Sequence, residues 1–247
     1  MKISVCMATY NGELFVAEQI NSILSQLNYN DELIIVDDCS SDKTIDVINS
    51  FNDKRINLIV NNSNIGVNKS FSRSILLSTG DYIFLSDQDD VWIEGRIKMM
   101  IKHLTESKVD LLTSNFKWID QFGNSTHVKF DGVSSLQSNS FIKNIFDIFI
   151  GKTNYFGCAM LFTKNLVRYI APFPGFIESH DLWIAKAGNL YRSQVHLDEI
   201  TFHKRIHKNN ATSTTSKRSF IYKVFSRFFF ILSIFVLLFR KIKLKLI

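Results

Sequence analysis

The sequence predicts an α/β fold, a mainly parallel sheet covered by helices, and three observations carry that expectation. Short β-branched runs alternate with segments of helical period over the first ninety residues. Several of those runs end in acidic or polar residues, as strands do at the ligand-binding edge of an open α/β sheet. With 247 residues, 46% of them apolar, and prolines only at 172 and 174, the chain can bury a large core and is not a disordered polymer.

The strands predicted first are Ile3 to Met7, Glu32 to Val36, Ile56 to Val60 and Tyr82 to Leu85. Between the first two, Leu14, Ala17, Ile20, Leu24 and Leu27 recur at three- and four-residue spacing, which gives a helix with one apolar face and Asn11 as its N-cap. Ile45, Ile48 and Phe51 mark a second helix; Phe71, Ile75 and Leu76 mark a third, stopped by Gly80. A helix from Gly95 to Leu104 and a strand from Asp110 to Ile119 follow, and Phe122, Gly123 and Asn124 make a turn. Beyond it the pattern loosens. A helix carries Phe141, Ile145, Ile148 and Phe149; Phe156 to Thr163 is a strand, Asp181 to Leu190 a helix, and Gln194 to Thr201 a late strand.

The formal charge of +6 lies at one end. From Lys217 onward there are eight basic residues and no acidic ones, and the remainder carries 21 basic against 23 acidic side chains. A body of that balance is a poor phosphate-backbone binder, so no nucleic-acid partner is expected, whereas a basic apolar tail suits anionic lipid headgroups. Within the tail, Phe228 to Phe239 is an apolar stretch of twelve residues bounded by Arg227 and Arg240, roughly 18 Å of helix, too short to cross a hydrocarbon core of about 30 Å. The expectation is an interfacial helix with snorkelling basic ends. Three scattered cysteines, Cys6, Cys39 and Cys158, suggest neither a disulfide framework nor a metal knot. Met1 and Lys2 lead straight into a strand pattern rather than a signal peptide, so the body is expected at the cytoplasmic face of the cell membrane, peripheral or monotopic.

Tyr82-Ile-Phe-Leu-Ser86 runs directly into Asp87-Gln-Asp-Asp90. Three carboxylates so close repel, and a divalent cation neutralises them. Together with a diphosphate they supply the hard oxygens that Mg2+ or Mn2+ prefers. A second acidic pair, Asp37 and Asp38, also ends a strand, where an acid can accept from a ribose hydroxyl or a base N–H. The loop Thr9-Tyr10-Asn11-Gly12-Glu13 leaves the first strand at the same edge, with Tyr10 able to stack on a base. No glycine-rich dinucleotide loop and no Gly-Lys-Ser/Thr loop is present, so phosphates must be held through metal.

These residues bring a resemblance into focus. Met7-Ala-Thr-Tyr-Asn-Gly12, Val36-Asp-Asp-Cys-Ser-Ser-Asp42, Asn64-Ile-Gly66, Thr79-Gly-Asp-Tyr-Ile-Phe-Leu85 and Asp87-Gln-Asp-Asp-Val-Trp92 resemble glycosyltransferase family 2, over nearly residues 1 to 210. The resemblance implies a GT-A fold, a Rossmann-like mixed sheet flanked by helices. It spans 1–216, with a nucleotide-binding half (1–105) and an acceptor-binding half (106–216), followed by a membrane-associating tail (217–247). It also implies that Thr9, Tyr10, Glu13 and Asp38 line the nucleoside pocket, which Asp37 shapes, beside Asn64 and Gly66. Asp87 would meet the ribose or the metal, Asp89 the metal and diphosphate, and Asp90 and Trp92 the donor sugar. Lys69 and Arg73, on the helix after Gly66, would approach the phosphates or the acids.

Phe156-Gly-Cys-Ala-Met160, Pro172-Phe-Pro174 and Glu178-Ser-His-Asp-Leu-Trp183 resemble the acceptor side of the rhamnosyltransferase-like branch. There the aspartate after histidine is the general base, which points to Asp181, with Gly157, Glu178, His180 and Trp183 around the sugars. An acceptor hydroxyl, too weakly acidic to ionise at neutral pH, needs such a carboxylate. Lys204-Arg-Ile-His-Lys-Asn-Asn210 resembles the family's closing Tyr-Arg-x-His-x-x-Asn segment, which would put His207 on the metal and Arg205 on the leaving phosphate; Lys204 stands in the tyrosine's place.

The activity so implied is inverting transfer of a sugar from a UDP- or dTDP-sugar to a hydroxyl of a glycan or lipid-linked acceptor, in cell-surface polysaccharide biosynthesis. Two other classes compete. Asp87-Gln-Asp-Asp-Val91 also fits the nucleophile strand of haloacid dehalogenase-like phosphatases, but three βα units precede it where it should open the catalytic unit. A noncatalytic nucleotide-sugar-binding membrane protein would share the same pocket. An EF-hand fails because Trp92 stands where that loop needs glycine.

Overall fold

A computed structural model describes residues 1–126, 128, 132–152, 155–208 and 220–245. Strands β1 (Ile3–Thr9), β2 (Glu32–Asp37), β3 (Ile56–Val60) and β4 (Tyr82–Ser86) are parallel and lie in the order β3-β2-β1-β4. They are joined by α1 (Val16–Leu24), α2 (Thr44–Asn49) and α3 (Val67–Leu77). The sheet continues as β7-β6-β8-β5. Here β5 is Val91–Trp92, β6 Leu111–Ile119, β7 Met160–Thr163 and β8 Gln194–Arg205. β7 is antiparallel to β4 and β6, β8 parallel to β6, and β5 antiparallel to β8, so the sheet is mixed.

Central strands are apolar on both faces because helices cover both. Alternation along β1 and β4 sends Val5, Met7 and Phe84 to one core with Val16, Ile20 and Ile23 of α1. It sends Cys6, Ile83 and Leu85 to a second core with Phe71 and Ile75 of α3 and Trp183 of a later helix. The remaining helices are α4 (Arg96–Ser107), α5 (Phe141–Ile150), α6 (Lys164–Ile170), α7 (His180–Leu190) and α8 (Phe220–Lys245).

The differences from the expected elements have local causes. Asn11 does not cap α1: it has φ 48° and its side chain accepts from Ser41 N at 2.9 Å, while Gly12 O receives the first helical N–H groups. Leu14, counted on the apolar face, is exposed. α3 ends at Leu77, before Gly80. Residues 157–159 form a 3-10 turn rather than strand, because the Cys158 carbonyl is taken by the buried guanidinium of Arg96 at 2.6 Å instead of a ladder partner. β8 runs on to Arg205 because its last residues pair with β5 and β6. Among the described residues no helix is long and apolar enough to cross a membrane. The 216/217 boundary lies outside the described residues.

Candidate active site

β1 sits between β2 and β4 with all three parallel, so the loops after Thr9, Asp37 and Ser86 emerge together at one edge. Thr9 Oγ1 donates to Asp37 Oδ2 at 2.8 Å, and Ser40 adds its backbone N–H (2.8 Å) and hydroxyl (2.6 Å) to the same carboxylate. Asp37 is fully buried and braces the first two loops. Asp38 accepts from Asn61 Nδ2 (2.8 Å), Ile65 N (2.9 Å) and Gly66 N (2.8 Å), which pins the loop leading into α3. Asn64 lies exposed on that loop, and Lys69 and Arg73 lie exposed on the helix that follows; Arg73 reaches the Asn61 side-chain oxygen. Glu13 accepts from Lys43 N at 2.9 Å, closing the first loop onto the second.

Tyr10 stands half-exposed with its ring available for a base. Gln88 grips its backbone twice, accepting from Tyr10 N at 2.9 Å and donating to Tyr10 O at 3.1 Å. Gly12 makes room for this clasp, since a Cβ there would lie 2.3 Å from Gln88 Oε1. Gln88 escaped notice in the sequence because it reads as a spacer between acids.

The acids after β4 are neutralised mainly by β8. Lys204 Nζ lies 2.8 Å from Asp87 Oδ2, 3.7 Å from Asp90 Oδ2 and 3.4 Å from Cys158 Sγ. Burial alone would raise the Asp87 carboxyl, but the Lys204 ammonium, helped by His180, holds it below its usual value. Asp90 has no exposed surface; burial, with Asp87 and Asp89 beside it, pushes its carboxyl up to about 7 despite Lys204. Asp89 Oδ2 faces His207 Nε2 at 2.8 Å. Arg205 is buried; it donates from Nε to Asp89 O at 2.9 Å and pairs with Glu18 at 2.5 Å. Its guanidinium ties the acidic loop to α1, a position that corrects its expected place on a leaving phosphate.

At the start of α7, Ser179 caps the helix by accepting from Leu182 N, and Asp181 sits in its first turn, where the helix dipole favours a carboxylate. His180 is buried, stacked on Phe71 at 4.2 Å between ring centres, with Nδ1 3.3 Å from Asn68 Oδ1 and 3.6 Å from Asp181 Oδ1. Its Nε2 has no hydrogen-bond partner among the described residues and points at Gly157, where a Cβ would lie only 2.5 Å away. Glycine there is what lets the histidine lie against the end of β4. Glu178 is exposed and accepts from Ser226 at 2.8 Å.

Trp92 and Trp183 are core residues, contrary to their expected place beside the sugars. Trp183 has no exposed surface and donates from Nε1 to Ile170 O at 3.0 Å. Trp92 is 4% exposed, packed on Phe84 with the Arg96 guanidinium over its ring at 4.6 Å.

Two groups of donors could hold a cation. Asp87, Asp90 and Cys158 place ligand atoms within 4.8 Å of one another, but the Lys204 ammonium contacts all three, and burial holds the thiol protonated. Asp89 and His207 fit better. Neighbouring ligands on an octahedral ion at about 2.1 Å lie about 3 Å apart, close to their 2.8 Å separation. The carboxylate of Asp87, about a third exposed, lies two residues away.

A profile of glycosyl transferase family 2 matches residues 4–170, about two thirds of the sequence. The chain belongs to glycosyl transferase family 2. It is 30% identical over 142 residues to an Escherichia coli UDP-Glc:alpha-D-GlcNAc-diphosphoundecaprenol beta-1,3-glucosyltransferase, WfgD, covering 58% of this chain and 55% of that one. It is 37% identical over 116 residues to the dTDP-rhamnosyl transferase RfbG of Shigella flexneri, covering 44% and 40%. The chain thus spans about half the length of the curated relatives it matches. Among solved structures it resembles residues 1–349 of S. aureus TarS in complex with UDP-GlcNAc, with a TM-score of 0.69 and 21% identity over 87% of this chain and 62% of that one. It also resembles the mannosyltransferase PcManGT of Pyrobaculum calidifontis in complex with GDP-Man and Mn2+, with a TM-score of 0.60 and 15% identity over 84% and 57%. The expected GT-A fold is therefore the one observed, and family membership disposes of the phosphatase alternative.

Proposed function

We propose that this family 2 chain is an inverting, metal-dependent glycosyltransferase. It moves a sugar from a UDP- or dTDP-sugar to a hydroxyl of a lipid-linked or growing glycan in cell-surface polysaccharide biosynthesis, at the cytoplasmic face of the membrane. The observation that carries the reading is the meeting of donor-side and acceptor-side residues. Lys204 holds Asp87, just past β4, and contacts Cys158, while His180, the neighbour of Asp181, lies against the adjoining Gly157. The names of the relatives support both donor classes and a diphosphate-linked lipid acceptor.

In this reading Tyr10 covers the base, and the Asp37 and Asp38 networks hold the nucleoside pocket in shape. Asp89 and His207, with Asp87, would hold Mg2+ or Mn2+, which when bound supplies positive charge to the departing diphosphate. Lys204 keeps Asp87 ionised and the acidic loop in place. Asp181 takes the proton of the acceptor hydroxyl as that oxygen attacks the anomeric carbon; the bond to the nucleoside diphosphate breaks from the opposite face, which inverts the configuration. His180, held by Asn68 and Phe71, fixes the carboxylate's position.

Replacing Asp181→Asn should lower kcat by about 10²–10⁴ while nucleotide-sugar affinity stays within about threefold. A variant with full transfer activity removes Asp181 from this role. Donor binding by the wild type without turnover on any acceptor would favour the noncatalytic alternative.

A further inference from the structure

α8 is built inside out. Its buried positions, Ser226, Phe230, Ser233 and Leu237, include two serines, and each serine meets a charged side chain of the body. Ser226 donates to Glu178 at 2.8 Å, and Lys186 Nζ donates to Ser233 at 2.6 Å. Every exposed residue between 224 and 242 is apolar: Val224, Phe225, Phe228, Ile231, Phe235, Leu238, Phe239 and Ile242. Their exposures run from 39% at Leu238 to 67% at Phe239. That is an open apolar surface on the order of 800 Å², against the roughly 300–600 Å² of the largest patch on an ordinary monomer.

We propose that this outer face docks on an anionic membrane surface, and that docking organises the acceptor loop so that a lipid-linked acceptor reaches Asp181 along that surface. The charge pattern selects the occupant. α8 carries six basic residues and no acidic one; Lys243 is exposed, and Arg227, Arg240 and Lys241, half-buried, set their cations against the body, so the helix as a whole brings the positive charge that suits anionic headgroups. Two copies meeting through this face would instead bring together two helices that each carry six basic residues and no acidic one. Spanning is ruled out while the helix stays docked on the body. Tyr191 donates to Leu237 O at 2.8 Å and Arg240 to Ile170 O at 2.8 Å and Pro172 O at 2.7 Å, so the helix is tied down along its length.

The inner face reaches the site through the segment before α7. Phe229 stacks on Phe176 with ring centres 5.8 Å apart, and Ser226 holds Glu178, three residues before Asp181. A helix steadied by lipid therefore steadies residues 176–181. This half of the proposal rests on the glycosyltransferase reading, so its experiment is chosen to need no turnover.

The full chain is floated with vesicles rich in phosphatidylglycerol and with pure phosphatidylcholine, beside a variant carrying Phe228→Asp, Phe235→Asp and Phe239→Asp. All three positions are exposed, and an unchanged melting temperature establishes that the variant is folded. The wild type should bind the anionic vesicles about tenfold or more tightly than the neutral ones, and the variant should bind neither. Hydrogen exchange of amides 176–182 should slow about tenfold on vesicle binding in the wild type alone. Equal flotation of both proteins, or unchanged exchange in that segment, overturns the proposal. So does a wild-type dimer that the three substitutions dissociate without lipid, since the face would then join two copies. Failure to bind any nucleotide sugar would count against the enzyme reading and leave the flotation result standing.

Discussion

Replacing Asp90→Asn should make this protein more stable, although it alters the acidic loop of the site. The carboxyl is fully buried, Oδ1 accepts from Arg205 N at 3.1 Å, and Oδ2 has no hydrogen-bond partner among the described residues, with the Lys204 ammonium 3.7 Å away. Burial and the neighbouring acids raise it from 3.8 to about 7. The folded state therefore binds an extra proton that the unfolded chain gives up. Stability from this group is complete below the unfolded value and is lost as pH rises through about 7. At about 1.4 kcal/mol for each pK unit, the charged form weakens the fold by up to about 4 kcal/mol at neutral pH. Asparagine is spared that loss but turns an unpaired amide toward Lys204, so a net gain of about 2–4 kcal/mol is expected above pH 7.5. For a domain of this size that is roughly 5–15 °C in melting temperature. Calorimetric scans between pH 4 and pH 8 should show the two proteins converging at the acid end and separating at the alkaline end. A variant less stable than the wild type at pH 8, or a gap independent of pH, refutes the reasoning.

Other substitutions probe neighbouring contacts. Lys204→Met leaves Asp87 without its 2.8 Å partner beside a buried second acid, and should lower stability by about 3–5 kcal/mol in urea titrations at pH 8; an unchanged midpoint would show that the ammonium is not the acids' counter-ion. Gly157→Ala puts a methyl 2.5 Å from His180 Nε2 and should displace the ring at a cost of about 1–3 kcal/mol. Its kcat should fall with donor affinity kept, and equal losses in both would make the glycine a general packing position.

The first ninety residues were legible because their signals are local. Short β-branched runs that end in polar or acidic residues mark β1, β2 and β4, and the parallel order of the sheet then brings their loops together without further information. What escaped the sequence are contacts closed over long separations. Lys204 meets Asp87 across 117 residues, and nothing near position 87 announces a lysine as its counter-ion. The signal was present at the other end, where Lys204 and Arg205 sit in a strand pattern beside Thr201 and Phe202, and charged groups buried in a strand need partners. Trp92 and Trp183 were misread for a related reason. A large ring with an N–H suits a sugar face or a core with a spare carbonyl, and only tertiary packing supplies Ile170 O to Trp183.

The proposed activity depends most on Asp89 and His207 acting together on a cation that carries a diphosphate. Calorimetric titration of UDP and dTDP with and without Mn2+ tests this directly, in the wild type and in Asp89→Asn. One of the two nucleotides should bind the wild type at least about tenfold more tightly with Mn2+, and that gain should vanish in the variant, whose fold is checked by its melting curve. Nucleotide affinity indifferent both to Mn2+ and to the loss of the Asp89 charge would contradict the account.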